Sequence, residues 1–488
     1  MPTKPTTDLF QPQLFLDDHW VADFDRVHRV WHEARKYRHP VLVADEPWEQ
    51  HCPTAYGSVL HWQGAYHMWY MTWSRVYHAV IAYARSNDGI HWEKPKLGLH
   101  EVNGTTNNNV VFTSEAFPNG LIDDLTVLFD PQDDRWPLKA LFWDSGPRDA
   151  RTRRAQRTHG IWLARSPNGI QWEKSGCVLP RWGDRFNALP VKHDGRWVLL
   201  GREPGMRDQG RGRIVSLTTS RDLRRWSKPR VVITADLDDP AYLEIYSATP
   251  FAYGDLFLGA IERMHMVPDV LDPELTWSRD GGATWHRPSG RPTFITRGPR
   301  GAFDSDWVAL TASQPIYHEP SRSLWFYYSG RSTGHDSPHP YPEGGIGLAT
   351  LRVDGFCSLR AMEVPGFFLT PSMTWPNGDL VLNADTRRDQ RSHPGNLAVG
   401  EVRVEVRDAH NGPIRGYTLG DCVPIQGNSG TRFATGTFRV VWGKAKSLRR
   451  LRGRRIRLRF QMRDAHLYSF RANDGAGAGV LNVPSAGR

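Results

Sequence analysis

The sequence predicts an all-β protein, a five-bladed β-propeller followed by a C-terminal antiparallel β-sandwich. Three observations carry this expectation. One short phrase recurs along the chain: Ala-Arg-Ser-Asn-Asp-Gly-Ile-His-Trp from Ala84 to Trp92, and Ala-Arg-Ser-Pro-Asn-Gly-Ile-Gln-Trp from Ala164 to Trp172. Looser copies carry Ser220, Arg221, Asp222 and Trp226, and then Ser278, Arg279, Asp280, Gly281 and Trp285. A repeat at a period of tens of residues fixes an architecture before any single element does. Each copy also lies between apolar, β-rich segments, where a turn joins two strands of a repeated sheet. Finally, no long stretch carries the period of an amphipathic helix, which argues against an α/β barrel.

The elements follow in order. Residues 1–13 are rich in Pro and Thr and are expected to be flexible. Structure should begin at Leu14-Phe-Leu-Asp-Asp. Unit one then holds the turn Trp62-Gln-Gly-Ala, the aromatic strand Tyr66-His-Met-Trp-Tyr, and a strand from His78 to Ala84. Unit two has Thr126-Val-Leu-Phe-Asp, Leu138 to Trp143 and Gly160 to Arg165. Unit three has Phe186 to Val191, Trp197 to Gly201 and Arg213 to Thr219. Unit four has Tyr246 to Phe251 and Leu256 to Ile261. Unit five has Ala309 to Tyr317, Leu324 to Ser329 and Gly345 to Leu351, with Arg352-Val-Asp-Gly-Phe as its divergent turn. Five units with about four strands each fit a propeller over residues 14–369.

From about Thr370 the texture changes to short alternating strands. They are Asp379-Leu-Val-Leu-Asn, Asn396-Leu-Ala-Val, Val402-Arg-Val-Glu-Val, Phe438-Arg-Val-Val-Trp and Ile456-Arg-Leu-Arg-Phe. Turn residues at Asn411-Gly-Pro and Gly427-Asn-Ser-Gly separate them, so residues 370–473 read as a sandwich. Residues 474–488, rich in Gly and Ala, read as a disordered tail.

Composition narrows the function classes. The 20 Trp, 20 Phe and 15 Tyr suit strands and cores, and their rings also suit the apolar faces of sugars. The net charge of +10 is concentrated in Arg148 to Arg157 and Lys444 to Arg459. The second stretch ends in Arg455-Ile-Arg-Leu-Arg-Phe, which alternates as a half-buried strand does. No nucleic-acid motif accompanies it, so no nucleic-acid partner is expected. Cys52, Cys177, Cys357 and Cys422 are far apart, with no zinc spacing and no disulfide framework. Without a signal peptide or a membrane-length apolar run, a cytoplasmic protein with no membrane partner is expected. No nucleotide fingerprint is present and no cofactor is expected, although a structural metal ion in the funnel is left open. Oligomeric state is left open.

In a propeller the innermost strands surround one axis, and residues at one end of them converge on a funnel. Acids recur at that place: Glu46 and Glu49 in unit one, Asp123 and Asp124 in unit two, and Asp184 in unit three. Unit four supplies Glu244, and unit five supplies Asp304 and Asp306. Two carboxylates flanking a glycosidic bond are the minimum for its hydrolysis. Glu244 is the expected acid, because its neighbours Tyr242, Leu243, Ile245 and Tyr246 could desolvate it. Asp124 would stabilise charge at the sugar ring, and Glu49 or Asp184 would be nucleophile or base. Arg185, Asn187, Arg202, Tyr246, Asp304 and His335 are candidate substrate ligands. Asp17 and Asp18 offer a further inner acid. The Ser-x-Asp turns are expected to be structural: side chains cap the turn and Trp packs between sheets.

These turns resemble the Asp-box of sialidases, which lies on the propeller periphery. The chain as a whole resembles the five-bladed glycosidases related to glycoside hydrolase family 32, the invertase and levanase group, over roughly Leu14 to Phe470. The phrases that carry this are Leu14-Phe-Leu-Asp-Asp, Ile90-His-Trp-Glu-Lys-Pro-Lys-Leu-Gly, Gly345-Ile-Gly-Leu-Ala-Thr-Leu-Arg-Val-Asp-Gly-Phe and Asp464-Ala-His-Leu-Tyr-Ser-Phe. The resemblance implies an exo-acting glycosidase or transglycosylase on a furanoside or related sugar, with an oligosaccharide or glycoside as partner. The family's Asn-Asp-Pro-Asn-Gly, Arg-Asp-Pro and Glu-Cys motifs are absent. A non-catalytic carbohydrate-binding propeller and a polyanion- or protein-binding propeller are the alternatives.

Overall fold

The computed structural model describes residues 8–49, 53–73, 79–115, 120–146, 159–202, 212–336, 344–387, 400–430, 437–443 and 446–475. Two compact units are present. One is built from residues 34–316 and 325–350, the other from 8–33, 317–324 and 351–475.

The larger unit is a five-bladed β-propeller. Blade one pairs Thr54–Trp62, Ala65–Trp73, Ala79–Ser86 and Val110–Phe112 in sequence order. Blade two pairs Ile122–Phe129, Leu138–Asp144, Gly160–Ser166 and Glu173–Pro180. Blade three pairs Phe186–Ala188, Trp197–Gly201, Val215–Ser220 and Arg230–Ile233. Blade four is the meander Leu243–Tyr253, Leu256–His265 and Val270–Ser278. Blade five orders Trp307–Leu310, Ser323–Arg331 and Gly344–Arg352, and its outer strand is Arg35–Lys36 from the start of the unit. The first strand in the unit thus completes the last blade.

The innermost strands of blades one to four neighbour one another in turn, that of blade five returns to that of blade one, and Leu271 in the third strand of blade four pairs with Trp307 of blade five. Polar side chains stitch them. Ser58 Oγ donates to Ala312 O at 2.9 Å and accepts the Val127 N–H at 2.8 Å, tying blades five, one and two. These bonds satisfy buried groups that would otherwise cost about 1–3 kcal/mol each.

The recurring phrase makes the turn that follows the third strand of blades one to four. Ser86, Ser166, Ser220 and Ser278 each accept, at Oγ, a backbone N–H from Gly89, Gly169, Leu223 and Gly282 at 2.8–2.9 Å. Asp88, Asn168, Asp222 and Asp280 accept the next N–H groups at 2.8–3.0 Å. The turns also join blades. Trp69 of blade one donates to Gly169 O of blade two at 2.7 Å, and Tyr327 of blade five donates to Gly89 O of blade one at 2.8 Å. The repeat is therefore the mortar between neighbouring blades.

The smaller unit is the sandwich. One sheet orders Phe438–Arg439, Asp379–Asp385, Ala465–Asn473, Cys357–Ala361 and His28–Trp31, with Gln13–Leu14 beside Ala465–Asn473. The other orders Asp23–Asp25, Gly366–Leu369, Arg455–Arg463 and Met373–Thr374, with Glu401–Asp408 on Arg455–Arg463. Phe15, Trp20, Phe368, Trp375, Trp442, Phe460 and Phe470 fill the core between them. In Arg455–Arg463 the residues Ile456, Leu458, Phe460 and Met462 are buried and the arginines alternate outward. Residues 14–33 and 351–369, expected in the propeller, belong here instead, because sequence order alone does not say which sheet edge an extended segment joins. Asp17 caps a short 3-10 turn and Asp18 binds Arg29, so neither is a funnel acid. The strand expected at Asn396, the whole basic stretch from Arg148 to Arg157, and nearly all of the expected tail lie outside the described residues.

Candidate active site

One end of the propeller axis collects side chains from all five blades. The starts of the inner strands supply Tyr56, Asp123, Asp124, Arg185, Glu244, Tyr246 and Trp307. The ends of the antiparallel second strands supply Arg202, Glu262 and Arg331.

Three inner strands are irregular at this end. In blade two, Phe142 faces Leu125 and Trp143 faces Asp123, so Asp124 is an extra residue. In blade four, Ile245 faces Arg263 and Ser247 faces Glu262, so Tyr246 is extra. In blade one the register slips between Thr54 and Ser58, around Tyr56. A bulge bends its strand and re-aims a side chain. Asp124 also sits at φ 39°, a region costly for a non-glycine residue and typical of functional sites.

The buried frame centres on Arg185. Its Nη1 donates to Asp124 Oδ1 at 2.8 Å, its Nε to Glu262 Oε2 at 3.1 Å, and its Nη2 to Glu262 Oε1. Its guanidinium lies 4.0 Å from the Tyr56 ring centroid. Asp124 Oδ2 accepts the Phe186 N–H at 2.9 Å. Asp124, Arg185 and Glu262 are 1%, 2% and 0% exposed. Burial opposes the Arg185 charge, but Asp124 and Glu262 overcome it and raise its pKa well above the ordinary value.

Above this frame the acids Asp184 and Glu244 are less enclosed. Arg202 binds Asp184, and Arg213 binds Glu244. Both guanidiniums face the Tyr246 ring, at 5.2 and 5.4 Å. Tyr246 meets Trp307 edge-on at 5.3 Å, and His335 stacks on Trp307 at 5.8 Å. Arg331 covers Trp307 at 4.0 Å.

The acids differ in charge state. Burial, then the charges of Asp124 and Asp184, push Asp123 well above the usual carboxylate range. Burial also lifts Asp124, to about 6, against the pull of Arg185 and the Phe186 N–H. Burial keeps Tyr56 and Tyr246 above their ordinary values, hence neutral and able to donate. The site therefore sets a carboxyl of raised pKa beside charged neighbours, the direction of shift that acid catalysis requires.

Of the residues expected from sequence, Asp124, Asp184, Glu244, Arg185, Arg202, Tyr246 and His335 fall in this cluster. Asn187 sits deeper, where its Nδ2 reaches Ser247 Oγ and Ala248 O at 3.2 Å and joins blades three and four. Glu49 is engaged elsewhere, by Lys94, the Tyr70 hydroxyl and the N–H groups of Asp45 and Glu46, in the middle and outer part of blade one. Asp304 binds Lys36 at 2.8 Å and the Tyr328 hydroxyl at 2.9 Å, toward the outer strand of blade five. Glu262, Tyr56, Trp307, Arg213 and Arg331 were not expected. A signal existed for Glu262: a carboxylate inside Leu-Phe-Leu-Gly-Ala-Ile-Glu-Arg must be paired to be buried.

Among the described residues no group of three or more His, Cys, Asp or Glu is placed to hold a metal ion, and no helix is long and apolar enough to cross a membrane.

No protein-family model matches the chain, and no curated protein matches it by sequence. Solved structures do. An N-acetylgalactosamine deacetylase from F. plautii, in complex with blood group B trisaccharide, aligns at 14% identity and TM-score 0.46, over 67% of this chain and 95% of that one. A β-1,2-mannobiose phosphorylase from Listeria innocua aligns at 13% identity and TM-score 0.46, over 66% and 97%. An α-L-arabinofuranosidase from Podospora anserina aligns at 10% identity and TM-score 0.43, over 66% and 96%. The architecture described above rests on the strand pairing itself.

Proposed function

We propose that this protein is a carbohydrate-active enzyme that cleaves or transfers a glycosidic bond in the propeller funnel. The observation that carries the reading is the convergence of Asp123, a carboxyl whose pKa burial and neighbouring carboxylates raise, with the Asp184–Arg202 ion pair beside the Tyr246 and Trp307 rings. A fold alone would not license this, since propellers host unrelated functions.

In this reading Asp123 protonates the leaving oxygen. It takes the role expected of Glu244, whose carboxylate is instead held by Arg213 and suits gripping a hydroxyl. Asp184, the most open acid of the group, attacks the anomeric carbon or activates water, and Arg202 fixes its direction. Asp124, Arg185 and Glu262 hold this constellation rigid from below. Tyr246 and Trp307 are buried beneath Arg202, Arg213, Arg331 and His335 and hold these groups in place at the floor of the site. The invertase-like phrases favour a furanoside or related sugar removed from a chain end.

The test is turnover of a panel of aryl furanosides and pyranosides, with and without inorganic phosphate, by wild type, Asp123→Asn and Asp184→Asn. Each variant should lose about 10²–10⁴-fold in kcat, the usual range for one acid–base group. Full turnover by both variants would refute the assignment. Sugar binding without any product would turn the reading into that of a binding propeller.

A further inference from the structure

Blade four and the segments that flank its strands hold a cavity of about 510 Å³, lined by Asp238, Leu243, Arg263, His265, Ser289 and Arg291 among others. That volume lies within the range of roughly 300–1,000 Å³ for small-molecule sites. A chain of contacts links its wall to the candidate site. Leu243 lines it and Glu244 follows in the chain. Arg213, which binds Glu244, also reaches Met266 Sδ at 3.6 Å, and Met266 N donates to Tyr242 O at 3.2 Å. Tyr242 packs on His265 at 6.4 Å, yet 43% of its surface is exposed. Met266 and Val267 are exposed beside it.

We infer that this cavity is a second sugar subsite, which receives the neutral sugar units next to the one cleaved in the funnel. The inference rests on the carbohydrate reading above and names its substrate as an oligosaccharide longer than two units. Two features select a neutral, hydroxyl-rich ligand. The charges of the wall are already paired: Arg263 with Asp272 at 2.9 Å, and Arg291 with Asp236 and, at 3.6 Å, Asp238. An ionic ligand would have to break such a pair, whereas hydroxyls accept from a guanidinium and donate to a carboxylate at once. The exposed face of Tyr242, which packs on the wall residue His265, complements the C–H face of a sugar ring. The wall is also fixed: Arg263 donates to Arg291 O at 2.7 Å and to Thr293 Oγ1 at 2.8 Å. The turn that carries Ser289 holds Arg291 at φ 48°, a conformation the surroundings must enforce.

The experiment reads binding rather than turnover. Asp123→Asn protein, alone or combined with Tyr242→Ala or Asp238→Ala, is applied to an array of neutral and uronic-acid-bearing tri- to hexasaccharides. Both second positions are exposed, so folding is not at stake. Neutral glycans should be retained by Asp123→Asn and lost about tenfold or more with either second substitution, the loss growing with chain length. Equal retention by all three proteins overturns the subsite and leaves the funnel reading standing. Preference for the uronic-acid glycans overturns the neutral assignment. Retention of no glycan by any of them overturns both.

Discussion

Arg185→Met is the most informative single perturbation of the propeller. It keeps roughly the length of the side chain and removes only the charge and the donors. Asp124 and Glu262 are then two buried carboxylates that have lost their shared guanidinium, and the Tyr56 face loses its cation. Breaking one partner of a buried ion pair costs about 3–5 kcal/mol, and the lost cation–π contact adds about 0.5–2 kcal/mol. For a unit of this size each kcal/mol is worth about 2 °C in Tm. The expected drop is therefore about 7–14 °C, read by calorimetry near pH 7. The charge explanation makes a second demand. Adding Glu262→Gln to Arg185→Met removes one of the stranded charges, so the double variant should be less destabilised than the sum of the two singles, by about 1–3 kcal/mol. If Arg185→Met melts within about 2 °C of wild type, or if the two substitutions add, the frame is not held by this ion network.

Three further outcomes follow from the same structure. Gly169→Ala should destabilise by about 2 kcal/mol or more, read by urea titration. Gly169 has φ +76°, and an added Cβ would lie 2.5 Å from the Trp69 ring. The sandwich should lose stability in acid. Burial, then neighbouring charges, push His32 and His466 down to about 4, while both bind Ser358 Oγ, at 2.8 and 2.9 Å. In the unfolded chain they titrate near pH 6.5. Between these values the unfolded state holds more protons, so stability is full above about pH 6.5 and falls as pH drops toward 4. Melts across that window should slope less in His466→Gln. Asp184→Asn should lower the pKa of Asp123, because a neighbouring negative charge is removed, and a carboxyl-carbon NMR titration of labelled aspartate reads that shift directly.

What the sequence made legible was local. The Ser-x-Asp phrase is readable because all its hydrogen bonds close within a few residues, as at Ser86, Asp88 and Gly89. The meander of each blade is readable because consecutive strands pair with consecutive strands. The placement of residues 14–33 and the closure of blade five by Arg35–Lys36 were not readable. Both are pairings between segments about 300 residues apart, and an extended segment carries no mark of its partner edge. The same limit divides the acids. Asp124, Asp184 and Glu244 stand at the starts of inner strands, and so does Asp304 in sequence terms. What separates Asp304 is Lys36, a residue of the strand that closes its blade from far away. Glu49 likewise looks like a funnel acid until Lys94 and Tyr70 claim it.

The bulges carry this point to its end. In a regular strand, successive side chains alternate between faces, so each strand start could aim only one of two neighbouring residues at the axis. An extra residue at Asp124 lets blade two set Asp123 and Asp124 in one cluster, one with its pKa raised by burial and the other bound to Arg185. An extra residue at Tyr246 lets blade four aim a ring between Arg202 and Arg213 while Glu262, opposite Ser247, still reaches Arg185. A bulge exists only relative to a partner strand, so its sequence has no signature of its own. It follows that deleting Asp124, which restores a regular ladder at the cost of one residue, should leave blade two paired while scattering the cluster. The expected result is a folded protein by near-ultraviolet circular dichroism that has lost all glycoside turnover and all glycan retention. Retention of either function in the deletion variant would show that the irregular strand start is not what assembles the site.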